Sequence, residues 1–390
     1  MKENSIAGNN NIKGKILPEI SFITTVYNEE KDITEFLESL MNGTHLPGEI
    51  IIVDGGSVDL TFNKILDFFN IEISEDKDGE YNNEQAGVEE SSGVQPDVKD
   101  IRAIIRSPGR STGDNNTGNE GYINIRIIRK KGANISQGRN EAIKNSSGSI
   151  ICASDAGCIL DRSWLFEISR FYDDNSYNVV GGISLPYCRN FLQKCLAVCI
   201  MPSKEEISEK KYMPSSRNIS FRKKVWVEAG GYPESMDYGE DMKFNFNVKN
   251  MGYTIKFNPD AVVYWKMREN PVQISRQFFR YAKGDAAGRM YPHRHLIRFI
   301  AFLLILAIIF SAFYLNRWIL LALIPLFIIY TFKPYKRLAR LFSSKSTDSC
   351  SFCRKEKILS IFFIPFLLLQ IDISKMCGYI YGLTRNIKKI

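Results

Sequence analysis

Hydrophobic residues in the N-terminal part of the chain alternate between two periods. Residues 20–26 (ISFITTV) and 49–53 (EIIIV) are apolar runs of strand length. After each run, apolar residues recur at i, i+3, i+4 and i+7, first within 33–40 and then within 62–69, which is the spacing of an amphipathic helix. Strands and helices in regular alternation predict an α/β fold with a mostly parallel central sheet and right-handed crossovers.

The alternation stops in residues 71–121 and then resumes. Between Ile71 and Glu120 the chain carries 12 acidic and 5 basic residues among many Asn, Ser and Gly, which predicts a disordered insertion. Beyond it the patterns predict strands at 122–128, 149–153, 179–185 and 261–265, and helices near 134–145, 164–172, 221–229 and 239–252. A polar tail, 1–19, precedes this domain, which extends over residues 20–288.

The C-terminal region, 289–390, has a different composition. Residues 299–315 and 318–332 contain no charged residue and predict a transmembrane helical hairpin, with a buried helix pair of a soluble core as the alternative. A third apolar segment, 358–371, either spans the membrane, re-enters it or lies in its interface. Net charge is +8, and many basic residues flank these segments, which predicts contact with membrane lipids and not with nucleic acid. The basic C-terminus favours an even number of spans.

Polar side chains stand at the ends of three predicted strands. Thr25, Tyr27 and Glu29 close the first strand, Asp54 the second and Asp155 the fourth. Ligands of open parallel sheets bind beyond the carboxyl ends of the strands, and a bare buried carboxylate is costly, so this arrangement indicates a binding site. Mg²⁺ is typically held by one or two carboxylates together with substrate phosphates, which makes Asp155 the best candidate for a metal ligand.

Six short motifs occur in a fixed order along the chain. They are TTVYNEE at 24–30, VDGGSVD at 53–59, SQGRNEAI at 136–143, SDAG at 154–157, GED at 239–241 and QFFRY at 277–281. Each motif is weak alone, but together they resemble family 2 of the inverting glycosyltransferases, which have the GT-A fold. The resemblance extends from about residue 20 to residue 289, apart from the insertion.

On the donor side, the resemblance implies a nucleoside-diphosphate sugar as the ligand. Tyr27, Glu29 and Asp54 would bind its base and ribose, at the strand end that also carries Thr25. Arg139 would lie near the donor, where a guanidinium can pair with phosphate. The architecture, a donor domain followed by membrane segments, suits a hexosyltransferase of polysaccharide or glycolipid biosynthesis.

On the acceptor side, the resemblance assigns residues of the last two motifs. Asp241 matches the catalytic base, and Glu240 precedes it at the start of a predicted helix. Gln277, Arg280 and Tyr281 match the QxxRW element near the diphosphate and acceptor, with Tyr in place of Trp at the last position. The alternative interpretation is that Glu240 and Asp241 simply cap the N-terminus of a helix.

The implied chemistry is a single displacement that depends on a divalent metal, Mg²⁺ or Mn²⁺. Asp155 matches the first acid of the family's DxD element, whereas the second acid is Gly157 here, which leaves the metal fewer protein ligands. Asp241 would take the proton of the attacking sugar hydroxyl, and Arg280 would stabilise the departing diphosphate.

Two other functions remain open from the sequence. A sugar nucleotidyltransferase would have a Gly-rich basic loop after its first strand, but residues 26–30 contain neither Gly nor Arg. An inactive membrane scaffold is favoured by Gly157 and opposed by the intact Glu240–Asp241 pair. The N-terminus lacks a signal-peptide core, which predicts a cytosolic catalytic domain with reduced cysteines. Together with the apolar segments, this predicts a multi-pass protein of the cell membrane that acts on a lipid-linked or glycan acceptor.

Overall fold

The computed structural model describes residues 14–71, 74–75, 81–82, 98–106, 121–172, 177–343 and 350–387. Its strands are β1 (Lys15–Val26), β2 (His45–Asp54), β3 (Ser74–Glu75), β4 (Tyr81–Asn82), β5 (Val98–Arg106), β6 (Tyr122–Lys130), β7 (Ile150–Ala153), β8 (Cys158–Leu160), β9 (Val179–Tyr187), β10 (Ile219–Arg222) and β11 (Ile255–Lys266). Its α-helices are α1 (Ile33–Met41), α2 (Thr61–Phe69), α3 (Ile135–Lys144), α4 (Trp164–Ser169), α5 (Phe191–Ile200), α6 (Lys223–Glu228), α7 (Glu240–Asn250), α8 (Pro271–Ala287), α9 (Pro292–Tyr314), α10 (Leu323–Ser343) and α11 (Arg354–Ile387).

The central sheet is mixed, with a parallel centre. Its strand order among the described residues is β5-β6-β2-β1-β7-β10-β9-β11-β8. Strands β6, β2, β1 and β7 pair in parallel, as the alternating pattern predicted. β5 pairs antiparallel with β6, and β10 pairs antiparallel with both β7 and β9. The predicted α/β class is confirmed, and the antiparallel strands are additions that the sequence pattern did not show.

One stretch of the predicted disordered insertion is a strand. Residues 98–106 form β5 at the edge of the sheet, in register with β6 from Val98 opposite Lys130 to Arg106 opposite Tyr122. The prediction is wrong for this stretch, because pairing with β6 supplies the backbone hydrogen bonds that a charged segment would otherwise find in water. Most of the remaining insertion lies outside the described residues, apart from the small β3–β4 pair.

A second correction concerns residues 221–229, which were predicted to be one helix. The first of them lie in β10, and the helix, α6, begins only at Lys223. Ile219 and Phe221 are both fully buried between the neighbouring strands β7 and β9. Burial between two strands therefore overrides a local pattern that is compatible with a helix.

The described chain divides into two compact units. The first comprises residues up to Ser184, then Glu209–Ser235 and Phe244–Tyr264; the second comprises Leu185–Ser208, Met236–Lys243 and the residues from Trp265 onward. The predicted domain of residues 20–288 therefore contributes to both units. Each unit has its own apolar core. The core of the first includes Ile23, Ile51, Ile151, Phe221 and Phe244, and the core of the second includes Cys195, Leu196, Ile274, Phe278 and Leu367.

Three helices of the second unit are long and apolar enough to cross a membrane. They occupy Pro292–Tyr314, Arg317–Phe342 and Arg354–Arg385, and they have 23, 26 and 32 residues. The second begins with a 3₁₀ turn at Arg317–Ala322 that leads into α10. The predicted hairpin is thus present as two helices, and the third apolar segment lies inside the long helix α11. These helices indicate membrane association, while the even number of spans stays a prediction.

Helix α11 packs closely along α8 through two glycines one turn apart. A Cβ atom at Gly378 would lie 2.1 Å from the Phe279 carbonyl oxygen, and one at Gly382 would lie 2.7 Å from Ala286 Cβ. Small residues four apart let helix backbones approach in this way. This contact fixes α8, the helix that carries the QFFRY motif, against α11.

A disulfide joins two distant parts of the second unit. Cys188 and Cys350, separated by 162 positions in the chain, are bonded with their Cα atoms 5.2 Å apart. The expectation that all cysteines are reduced is wrong for this pair. Sequence spacing gave no signal for it, because the two residues meet only when the chain before α11 returns to the end of β9.

Candidate active site

The loops after β1 and β2 are held together by hydrogen bonds between side chains and backbone. Ser57 Oγ accepts the Asn28 N–H at 2.9 Å, and Thr61 Oγ1 accepts the Glu29 N–H at 2.7 Å. Asn28 has φ of 56°, in the left-handed region that Asn tolerates well. The resulting turn leaves the Tyr27 side chain 58% exposed. Tyr27 and Glu29 both lie just beyond the carboxyl end of β1, where the sequence placed them.

Asp54 ends β2 and is completely buried. Its Oδ1 accepts hydrogen bonds from the Ser57 N–H at 2.9 Å and from the Ser57 hydroxyl at 2.6 Å. Its Oδ2 has no hydrogen-bond partner among the described residues and lies 3.4 Å from Arg129 Nε. An uncompensated buried charge costs about several kcal/mol, so the Arg129 guanidinium stabilises the ionised carboxylate. Both oxygens of Asp54 are thus covered in this structure, one by Ser57 and the other by Arg129.

Asp155 follows β7 and is held by an arginine of α3. Arg139 is 4% exposed and donates from Nη2 to Asp155 Oδ1 at 2.8 Å. The Tyr232 ring lies 5.4 Å from the same guanidinium. Helix α3 presses on β1, because a Cβ at Gly138 would lie 2.7 Å from Thr25 Cγ2. Thr25 Oγ1 is buried without a hydrogen-bond partner in the described part of the chain. The predicted donor residues thus lie along one edge of the sheet.

The metal prediction rests on a single protein carboxylate. No group of three or more His, Cys, Asp or Glu side chains in the described ranges could hold a metal ion. Asp155 is 31% exposed, and a Cβ at Gly157 would meet no atom within 4 Å, so the turn after β7 has room beside the carboxylate. A Mg²⁺ ion held by one carboxylate takes its other ligands from phosphate and water. The residues therefore fit a metal only together with a bound diphosphate.

Glu240 and Asp241 begin α7 among residues of the second unit. Gly239, with φ of 76°, turns the chain into the helix, and its carbonyl accepts the Lys243 N–H at 3.0 Å. Glu240 is buried and Asp241 is half-buried, with its Oδ1 2.7 Å from the Met242 N–H. Acidic residues in a first helical turn are favoured by the helix dipole. The capping interpretation and a catalytic role are therefore compatible at this position.

The three predicted residues of α8 share one face of the helix. Gln277 is buried and donates from Nε2 to the Tyr281 hydroxyl at 2.8 Å, while its Oε1 has no partner within the described residues. The Arg280 guanidinium lies 5.3 Å from the centre of the Tyr238 ring. A Cβ at Gly284 would lie 2.2 Å from the Tyr238 carbonyl oxygen, so α8 touches the loop that precedes α7 directly. The second unit thus brings the GED and QFFRY motifs together.

Two site residues were missed from the sequence. Arg129 follows the same strand-end rule as Asp54, because it stands near the end of β6, and applying that rule to a basic residue would have found it. Tyr238 gave no signal, because its contact with Arg280 exists only once α8 has folded back on the loop before α7.

Two sequence models of known families match the chain. One, described as glycosyl transferase family 2, matches residues 21–93, and the other, described as glycosyl transferase family group 2, matches residues 151–333. The chain belongs to the family 2 glycosyltransferases. This assignment confirms the predicted enzyme class and favours it over the nucleotidyltransferase alternative. Donor turnover is the measurement that separates it from an inactive scaffold of the same fold. The matched segments contain five of the six motifs in whole or in part, the exception being the segment around Arg139.

Individual relatives of this glycosyltransferase are distant. The glycosyltransferase AglE of Haloferax volcanii is 22% identical over 320 residues, which cover 79% of this chain and 82% of AglE. The mannosyltransferase PcManGT of Pyrobaculum calidifontis, solved with GDP-Man and Mn²⁺, gives a TM-score of 0.49 at 14% identity, covering 94% of this chain and 87% of its own. S. aureus TarS 1–349, solved with UDP-GlcNAc, gives 0.42 at 15% identity over 95% and 92%. Because both TM-scores are below 0.5, the assignment rests on the sequence models.

Proposed function

We propose that this glycosyltransferase moves a sugar from a nucleoside-diphosphate sugar to a lipid-linked or polysaccharide acceptor, with inversion at the anomeric carbon. The observation that carries the donor assignment is the Arg139–Asp155 pair, at 2.8 Å, beyond the carboxyl end of β7. A guanidinium forms charge-assisted hydrogen bonds with the phosphate oxygens of a diphosphate. The family assignment supplies the reaction class, and this pair supplies a place for the donor's charge.

The nucleoside end of the donor would bind at the strand ends of the first unit. The exposed Tyr27 ring offers a stacking surface for the base. Asp54, whose Oδ2 is covered by Arg129 in this structure, would accept a ribose hydroxyl. Glu29, in the loop held by Thr61, would contact the same part of the donor.

The transfer step is one displacement. The acceptor hydroxyl attacks the anomeric carbon while the bond from that carbon to the diphosphate oxygen breaks. Asp241 accepts the hydroxyl proton, and the electron pair of the broken bond goes to the nucleoside diphosphate. Attack from the face opposite the leaving group inverts the anomeric centre. Arg139 and Arg280 would stabilise the negative charge of the leaving group.

Asp155 would hold a divalent ion, Mg²⁺ or Mn²⁺, once the donor is bound. When bound there, the ion would neutralise charge on the diphosphate. Asp155 meanwhile stays fixed by Arg139, so the protein's share of the site is formed before the donor arrives. Gln277 and Tyr281, linked at 2.8 Å, would line the acceptor side together with Glu240.

A lipid-linked acceptor is favoured by the apolar helices of the second unit. One of them, α11, packs directly against α8, the helix that carries the QFFRY motif. We expect the catalytic residues to face the cytosol, because basic residues flank the apolar segments. The Cys188–Cys350 disulfide weighs against this side, since such bonds are typical of oxidising compartments. Mass analysis of the protein trapped with alkylating reagent in cells decides the point: an intact disulfide there would overturn the cytosolic placement.

The test is transfer by the full chain in detergent. A panel of nucleotide sugars is offered with Mg²⁺ or Mn²⁺, with and without polyprenyl phosphate, and nucleoside diphosphate release is measured. We expect one donor to be used, and the product's anomeric configuration by NMR to be opposite to the donor's. Asp241→Asn should lower turnover by about a hundredfold or more, the loss that follows removal of a general base, while donor affinity stays within twofold.

The matched control is Asp237→Asn, an exposed acid in the loop four residues earlier. It should keep turnover. A retained configuration would exclude the single displacement. Turnover by Asp241→Asn at the wild-type rate would exclude this residue as the base, and loss of donor binding in that variant would show that it binds the donor instead.

A further inference from the structure

The turn between α8 and α9 is conformationally strained. Arg289 and Tyr291 have φ of 53° and 51°, in the left-handed region that residues other than glycine rarely adopt. Each such residue costs about 1 kcal/mol or more and persists where surrounding contacts impose it. The contacts include hydrogen bonds from the Arg289 N–H to the Ala286 carbonyl at 3.2 Å and from the Met290 N–H to the Asp285 carbonyl at 2.7 Å. The turn is therefore held in one shape.

Met290 joins this turn to the loop before α7. Its side chain is 3% exposed, and a Cβ at Gly239 would lie 3.0 Å from Met290 Cε. One helical turn back along α8, the backbone at Gly284 touches Tyr238. An added methyl group at Gly284 would overlap the Tyr238 backbone, so α8 is packed directly against the loop that precedes Asp241.

The Tyr291 side chain points into the first turn of α7. Its hydroxyl donates to Met242 Sδ at 3.8 Å, next to Asp241 in the chain. The Arg294 guanidinium lies 4.0 Å from the ring centre and holds the ring in place. Burial raises the pKa of the Tyr291 phenol above its usual value; the Arg294 charge opposes this rise, and the Asp285 and Asp241 carboxylates add to it. The phenol therefore stays protonated near neutral pH and can donate its proton in a hydrogen bond.

We propose that Tyr291 is a positioning residue for Asp241. Its hydroxyl, held by the strained turn, fixes Met242 and with it the direction of the Asp241 carboxylate at the start of α7. The inference rests on the proposed role of Asp241 as the base. Tyr291 lies outside the six motifs, and its place in the site follows from the αL turn, the Met290–Gly239 contact and the hydroxyl's reach to Met242.

The experiment removes the hydroxyl and keeps the ring. Tyr291→Phe in the full chain should lower kcat about threefold to tenfold, the effect of one neutral hydrogen bond, while donor KM and thermal unfolding stay unchanged. Met242→Leu, which removes the sulfur at similar volume, should lower kcat by a similar factor. The double variant should be no slower than the slower single variant, because both changes break the same contact.

The matched control is Tyr335→Phe. It removes a hydroxyl that donates to the Ile361 carbonyl at 2.7 Å, also in the second unit, and should leave kcat unchanged. Wild-type kcat in Tyr291→Phe, multiplicative effects in the double variant, or a fall in kcat that only follows a fall in thermal stability would each overturn the inference. Turnover by Asp241→Asn tests the proposed base separately: if that variant is inactive while Tyr291→Phe is normal, only the inference about Tyr291 fails.

Discussion

The carboxylates of the first unit and the carboxylate of the second are held by different forces. Asp54 and Asp155 each face an arginine: Arg129 of β6 at 3.4 Å and Arg139 of α3 at 2.8 Å. Asp241 instead lies in the first turn of a helix whose preceding loop packs against α8, where a Cβ at Gly284 would overlap the Tyr238 backbone. The proposed donor side is ordered by charge pairing, and the proposed base is ordered by close packing.

This difference matches the two tasks. A carboxylate that only binds benefits from a fixed opposite charge, which keeps it ionised and aimed at ligand hydroxyls. A base must lie within hydrogen-bond reach of the proton that it takes, and a displacement of 1 Å can cost a hundredfold in rate. Rigid packing around Gly239 and Gly284 supplies that accuracy. Removing charge should therefore damage the first unit's site, and adding volume should damage the second's.

The largest effect is expected from removing charge at Arg139. Arg139→Ala leaves Asp155 without its 2.8 Å partner and removes the donors proposed for the diphosphate. Donor affinity should fall about tenfold to a hundredfold, as for the loss of a charge-assisted hydrogen bond. Calorimetric titration of the nucleotide sugar measures it, and Arg139→Lys should recover only part of the loss, because lysine lacks the planar fork.

The control for Arg139 is another arginine–aspartate pair of the same sheet. Arg126 donates to Asp100 at 2.6 Å between β6 and β5, away from the strand ends. Arg126→Ala should lower stability and leave donor affinity unchanged. Equal losses of affinity in the two variants would mean that charge pairing supports only the fold, and the contrast between the units would disappear.

A smaller effect is expected from adding one methyl group to α11. Alanine in place of glycine normally stabilises a helix by about 1 kcal/mol. In Gly378→Ala the new Cβ would stand 2.1 Å from the Phe279 carbonyl oxygen of α8, so we expect a loss of about 1–3 kcal/mol instead. The midpoint of thermal unfolding in detergent should fall, and kcat should fall with it while donor affinity holds.

Its neighbour Cys377 is exposed and provides the control, since Cys377→Ala changes the same turn of α11 without approaching α8. Stabilisation by Gly378→Ala would contradict the packing described here. A loss of donor affinity in that variant would show that the two sites do not respond to charge and volume separately.

Much of the first unit could be predicted from the sequence, because its strands and the polar residues at their ends form local patterns. The strands β1, β2, β6 and β7 each contain an apolar stretch, and Asp54 and Asp155 lie at the strand ends where the sequence placed them, while their binding role stays a proposal. β5 and β10 were not predicted, because they form strands by pairing with a neighbouring strand and their own sequence pattern does not indicate one. Arg129 was not predicted as a site residue, because only acidic and neutral polar residues at strand ends were considered.

The second unit was less predictable. The two apolar helices of the hairpin follow from composition alone, but the packing of α11 on α8 depends on Gly378 and Gly382, a spacing that has meaning only once the partner helix is known. The Cys188–Cys350 bond has the same origin in tertiary structure. Contacts between elements far apart in the chain leave a weak trace in a single sequence, whereas strand-end chemistry is local.

The smallest effect is expected from adding charge to the first unit. Gly157→Asp restores a second acid two residues after Asp155, in a turn where the new Cβ meets nothing within 4 Å. If Asp155 holds the metal, a second carboxylate should lower the Mg²⁺ or Mn²⁺ concentration at half-maximal activity about tenfold, close to 1.4 kcal/mol. Gly157→Asn has the same size without the charge and should leave that concentration unchanged. Equal behaviour of the two variants, or full activity of the wild type in chelator, would show that Arg139 and Arg280 neutralise the diphosphate without a metal ion.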